Sequence, residues 1–230
     1  MDFRTRLTSG AEPQDFKAQL STLADYPIVE EAWLIEGSIA FSSEAVPLSS
    51  SSKKANGFLL RSPDGKQVAQ FRLDGFTFNR LAPYTSWDEI APEAFRLWEV
   101  YRKIVRPEAL YRIAVRYINQ IALPDDLIDM DEALISGPRL PAELPQTFYS
   151  FLNRVVIPLP MPNTNVAIVQ AYNTLPAATA DSILVDLDVA RNEEMDLTST
   201  SLRPVFEEFR VFKNQAFFGS LTEKMIARFA

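Results

Sequence analysis

At residue 86 the hydrophobic period changes from two to between three and four, and this change constrains the fold more than any other feature of the chain. In SWDEIAPEAFRLWEVYRKIV, which begins at Ser86, the apolar residues Ile90, Ala94, Leu97, Trp98, Tyr101 and Ile104 recur at three and four, so they share one stripe of a helix. Ser86 and Glu89 have the spacing of a capping box, and Arg106-Pro107 stops the helix because the residue before a proline is driven out of the helical region. The segments before it read as strands. YPIVEEAWLIEG predicts a strand from Ile28 to Glu36, and FLLRSPDGKQVAQFRL predicts a hairpin turning at Ser62-Pro63-Asp64-Gly65, where proline presets its own φ and glycine accepts a positive one. FTFNRL, after Asp74-Gly75, predicts a further strand.

Beyond the helix the period returns to two. YRIAVRYINQIALP sets Tyr111, Ile113, Val115, Tyr117 and Asn119 on one face of a strand and Arg112, Ala114, Arg116 and Ile118 on the other. PDDLIDMDEAL reads as a short acidic helix with its aspartates at the positive N-terminal end. ELPQTFYSFLNRVVIPLP reads as a helical turn and a strand, and TNVAIVQAYNTL and DSILVDLDVAR as two more strands. The last turns Ile183, Val185, Leu187 and Val189 inward and Asp186 and Asp188 outward. TSTSLRPVFEEFRVFKNQAFFG predicts a second long helix ended by Gly219, and Ser220 with Glu223 a further capping box.

Strands, a long helix and a strand, used twice, predict an α+β fold. Its expected form is a curved antiparallel sheet with two long helices, about 87–105 and 202–217, on one face, and two similar halves. Residues 1–25 are expected to be peripheral, with a short helix at Asp15–Leu23, and 26–230 to form a single domain. Within that domain SSEAVPLSSSSKKANG holds almost no large apolar group, which predicts a mobile loop at 42–56.

Composition narrows the chemistry. The chain has no His and no Cys, so the usual general base near neutral pH, the commonest transition-metal ligand and every thiolate reaction are missing. No phosphate-cradling glycine loop or other catalytic motif is recognised, and no catalytic, metal or cofactor residue is assigned. A net charge of −7 with scattered Lys and Arg argues against a nucleic-acid partner. The first twenty residues hold no apolar leader core and no run reaches membrane-spanning length, which gives the expectation of a cytoplasmic protein.

Even spacing places Arg112 and Arg116 together on one strand face and Asp186 and Asp188 together on another, so the four can neutralise one another as a register-fixing network if their strands are neighbours. The rival use of the arginines, with Tyr117 and Asn119, is to contact an anion or small molecule in a cleft between sheet and helix. Asp186 and Asp188 with Glu193 and Glu194 also have the acids of a carboxylate-metal nuclease, without its Lys or His. The aromatic stripe of the last helix belongs to the core, and its surplus rings, Phe206, Phe217 and Phe218, are candidates for an interface.

Five blocks, PIVEEAWLIEG, LDGFTFNRLAPYTSW, YRIAVRYINQIALP, ILVDLDV and FEEFRVFKNQAFFGSLTEKM, resemble in order those of a sporadically distributed family of uncharacterised bacterial proteins, over roughly residues 26–229. The resemblance implies a bacterial or phage origin and a single domain, and it brings no activity and no catalytic residues. Sporadic occurrence suggests, by analogy, a phage-defence or toxin–antitoxin setting. The expectation is a non-enzymatic module that binds a protein partner or itself. A small-molecule or anion binder, or a cavity enzyme, is the first alternative and a carboxylate-metal nuclease the second.

Overall fold

The computed structural model describes every residue except 7–11, 43–44, 124–128, 174–181 and 230. The fold is α+β, with nine strands in an antiparallel sheet and helices packed on it. The chain divides into two compact units, one of residues 1–112 with 194–199 and the other of 113–193 with 200–230.

In the first unit the strands are β1 (Asp2–Arg6), β2 (Ile28–Ser42), β3 (Ala45–Arg61), β4 (Gln67–Arg72) and β5 (Gly75–Arg80), in the order β2-β3-β4-β5-β1. Helix α1 (Gln14–Leu20) is short, and α2 (Trp87–Val105) is the expected long one. Ser86 caps α2 by accepting the Glu89 N–H at 3.2 Å, and Arg106, at φ 51°, ends it in the left-handed region. Its stripe buries Trp87, Ala94, Phe95, Leu97, Trp98 and Tyr101. Phe3 stacks on Trp98 at 4.5 Å, and Trp98 stacks on Tyr101 at 5.4 Å. Phe71 and Phe76 meet edge to face beside them at 5.3 Å, so one aromatic cluster joins helix to sheet. The Trp98 indole N–H reaches the Leu197 carbonyl at 3.1 Å, which ties residues 194–199 to this unit.

Two expectations fail here. The first residues are not peripheral: β1 pairs with β5, and Phe3 is fully buried. Five alternating residues are too few for a period to stand out, although Phe3 and Thr5 face the core and Asp2 and Arg4 face away. The Ser-rich stretch is a strand, not a loop: β3 pairs with β2 from Ile28↔Arg61 to Ser42↔Ala45. A hairpin ladder is made of main-chain hydrogen bonds, so once register is set by the apolar end near Phe58 and Leu60 it extends through residues with little to bury.

The second unit holds β6 (Ala109–Ala122, whose first residues lie in the first unit), β7 (Ser150–Pro158), β8 (Thr164–Asn173) and β9 (Ser182–Arg191), in the order β6-β9-β8-β7. Ile183, Val185 and Leu187 of β9 form its core with Met130, Leu134, Leu221 and Met225, and Ala216 and Phe217 of α3 (Ser199–Ser220) pack against them. Helix α3 runs through Gly219 rather than ending there, and the Ser220 hydroxyl donates back to the Ala216 carbonyl at 2.6 Å. The next cap is Thr222, which accepts the Met225 N–H at 3.3 Å, in place of the expected Ser220. Of the expected acidic helix, residues 124–128 lie outside the described residues, and Met130–Glu132 make a single 3-10 turn.

Candidate functional site

Strand β6 carries the charged residues singled out in the sequence, and its pairing fixes their faces. Tyr117 lies opposite Leu187 and Asn119 opposite Val185, on the side of the second unit's core, while Arg116 lies opposite Asp188 on the reverse side. Arg116 and Tyr117 are therefore on opposite faces and cannot line one cleft.

The charged residues of β6 meet an aspartate in each unit. In the second unit Arg116 bypasses its register partner and donates from Nε to both oxygens of Asp186, at 2.9 and 3.2 Å, with a further bond from its terminal nitrogen. These bonds, and to a lesser degree the nearby Asp188 carboxylate, raise the Arg116 pKa against the effect of burial. The Asp186 side chain is 11% exposed and that of Arg116 59%, so the pair is a buried acid under a solvated cation. Arg112 belongs to the first unit and donates to Asp2 at 2.8 Å.

Asp2 is the centre of a cluster that sequence reasoning missed. It accepts from Arg4 at 3.2 Å, from Arg112 at 2.8 Å and from the Thr77 hydroxyl at 2.6 Å, and pairs with Arg72 at 3.4 Å. Asp74 accepts from Arg72 at 3.1 Å and from Asn56 at 3.1 Å, and pairs with Arg4. Burial alone would lift both carboxyl groups, but the hydrogen bonds and the guanidinium groups outweigh it and hold both below the usual carboxylate range. Three cations and two anions thus cover the sheet face turned away from the aromatic cluster. The signal was present as the alternation Asp2-x-Arg4 and Arg72-x-Asp74.

On the core side of β6, Lys213 of α3 places its ammonium 4.0 Å from the centre of the Tyr117 ring. Burial, with a smaller contribution from Arg210, lowers its pKa to about 8. Asn119 donates to the Val185 carbonyl at 3.0 Å. Of the interface candidates, Phe206 is fully buried and contributes nothing to a surface, a correction caused by its place on the inner stripe of α3 with Phe209. Phe217 is half-buried in the core, and Phe218 is exposed and meets Phe217 edge to face at 5.2 Å. The acids considered for a metal are committed elsewhere: Asp186 to Arg116, and Glu193 to Arg191 and to Asn163, whose amide donates at 2.6 Å. Among the described residues no three acidic side chains converge as a metal-ligand set.

Four exposed aliphatic residues of the second unit lie on β7, which sequence reasoning treated only as a strand. Leu152 is 75% exposed, and Val155, Val156 and Ile157 each more than 40%. Leu152 and Val156 point to the reverse face, in rows with Ala171 and Ala167, and Val155 and Ile157 to the core side, beside Ile168 and Val166. Ile118 of β6, 63% exposed, lies on the same reverse face, with Asp186 and Val169 between it and β7. The missed signal was SFLNRVVIP itself, which is apolar on both alternating faces without being a buried central strand. Comparison with protein-family models, with curated proteins and with solved structures found no match to this chain.

Proposed function

We propose that this chain is a non-enzymatic protein-interaction module whose docking surface is β7 with the adjacent reverse face of its sheet. The observation that carries this reading is the exposure of Leu152, Val155, Val156 and Ile157 together on an outermost strand. Contiguous exposed aliphatic groups on an edge are costly to solubility, so a functional occupant is their usual reason. The polar chemistry supports the same reading, because Arg112 and Arg116 are held by aspartates and Tyr117 is covered by Lys213. A bacterial or phage setting, with defence or toxin–antitoxin partners, remains part of the proposal on the strength of the sequence blocks.

The test is site-specific photocrosslinking in the host cell. A benzoylphenylalanine at Leu152 is expected to give discrete protein adducts that Val156→Lys abolishes, while the same group at Glu108, exposed in the first unit, gives none of them. Absence of adducts at 152 overturns the reading.

A further inference from the structure

The occupant of β7 can be named from the strand's own chemistry. We infer that it is a second copy of this chain, paired β7 to β7 in antiparallel fashion about a two-fold axis, an inference that rests on the interaction-module reading. One side of β7 is bonded to β8 in unbroken register from Ser150↔Asn173 to Pro158↔Asn165. Its other side presents a row of main-chain N–H and C=O groups, and among the described residues no strand pairs with them. Only another extended backbone satisfies such a row at every second residue.

The two outer strands of the order differ in how they are guarded. Strand β2 carries exposed Glu30 and Glu31 and a register shift at Ala32/Trp33, devices that discourage edge pairing. Strand β7 has no shift, no acid and a single cation, Arg154, with its proline only at the last position. In a chain of net charge −7, an outer strand without an acid lets two copies approach with less repulsion than one carrying acids such as Glu30 and Glu31.

Symmetry then selects the register. A two-fold axis perpendicular to the sheet keeps each side chain on its own face, so only residues of equal parity face one another and the axis passes midway between the two copies of one residue. Centring on Arg154 would pair all nine residues but set two guanidinium groups directly opposite. Centring on Val155 pairs Val155 with Val155 of the second copy, Asn153 with Ile157, Arg154 with Val156 and Leu152 with Pro158. That arrangement covers all four exposed aliphatic residues and separates the arginines.

The chain has no cysteine, so a single introduced thiol reports this geometry without background. Sedimentation of the purified full chain is expected to show a concentration-dependent dimer. Oxidation should convert Val155→Cys to a covalent dimer at least tenfold faster than Arg154→Cys, since only residue 155 meets its own copy. Val155→Lys, checked for an unchanged melting temperature, should weaken dimerisation at least tenfold. A chain monomeric at every concentration, a Val155→Lys chain that still dimerises, or equal rates for the two thiols overturns the inference. If the purified chain is monomeric but photocrosslinking at Leu152 joins it to a different protein, the second copy is wrong and the interaction-module reading stands. If it is monomeric and gives no adducts, both fall.

Discussion

In the first unit Arg4, Arg72 and Arg112 converge on Asp2 and Asp74 across strands β1, β4, β5 and β6, whereas on the reverse face of the second unit Arg116 is bonded to Asp186 and several aliphatic residues are exposed. Both faces lie opposite an apolar core, and both began as alternating strands with charged outward positions. They differ in the number of charges that meet. Five interlocked groups, with Arg72 11% and Asp2 19% exposed, make a partly buried polar layer. In the second unit Arg116 is 59% exposed over Asp186, and Ile118, Leu152 and Val156 on the same face are exposed. An ion cluster can therefore cover a sheet face with polar groups, and the proposal that the second unit docks a partner concerns the face where aliphatic residues stay exposed.

The largest effect that would break this contrast is at Asp2. Asp2→Ala strips three guanidinium groups of a shared acid, and stranding partly buried cations costs about 3–5 kcal/mol. Chemical denaturation should show that loss, and a loss below about 1 kcal/mol would mean that the cluster is solvated and the contrast false. The pH dependence follows the same group. The folded-state pKa values of Asp2 and Asp74 lie below the ordinary 3.8, so their stabilisation is complete above that value and is lost as pH falls through the folded values. The acid limb of a melting-temperature profile should flatten in Asp2→Asn.

Next in size is Gly75, which lets β5 approach β1. Its φ is +150°, and a Cβ there would stand 2.1 Å from the Phe3 carbonyl oxygen. Gly75→Ala should cost about 1–3 kcal/mol by forcing the β1–β5 contact apart or straining the backbone. Asp186→Ala in the second unit should cost less, about 1 kcal/mol, because the arginine it releases is already in water. An Asp186→Ala loss equal to that of Asp2→Ala would erase the difference between the faces.

What the sequence disclosed follows the length of its periodic segments. Helix α2 was legible because nineteen residues repeat one stripe between a serine cap and a proline stop, and β6 and β9 because their alternation runs for ten or more residues. Register between strands was not legible: spacing alone shows that Arg112 and Arg116 share a face, but not that Arg112 sits beside β1 and Arg116 beside β9. Asp2 was lost for the same reason, since its importance comes from partners 70 and 110 residues away. Strand β7 was legible as a strand but not as an outermost one, which depends on the order of pairing. Phe206 and Phe218 illustrate the limit for helices, because a stripe of rings does not say which ring the core will cover.

Lys213 gives the smallest effect and the sharpest view of how the second unit handles charge. Whereas each arginine of the first unit's cluster meets a carboxylate, this ammonium meets the face of Tyr117. Burial and, after it, Arg210 lower its pKa to about 8 from the ordinary 10.5, so the folded chain binds fewer protons than the unfolded chain between those values. Stability should accordingly rise with pH across that window, the reverse of what a carboxylate-paired lysine does. Lys213→Met keeps an unbranched apolar stem on the ring and removes the titration, so the alkaline rise should vanish. At neutral pH the relief of burying a charge is offset by loss of a cation–π contact of about 0.5–1 kcal/mol, and the net change should stay within about 1 kcal/mol. A rise that persists in Lys213→Met would place the alkaline titration on another group and remove this lysine from the contrast between the units.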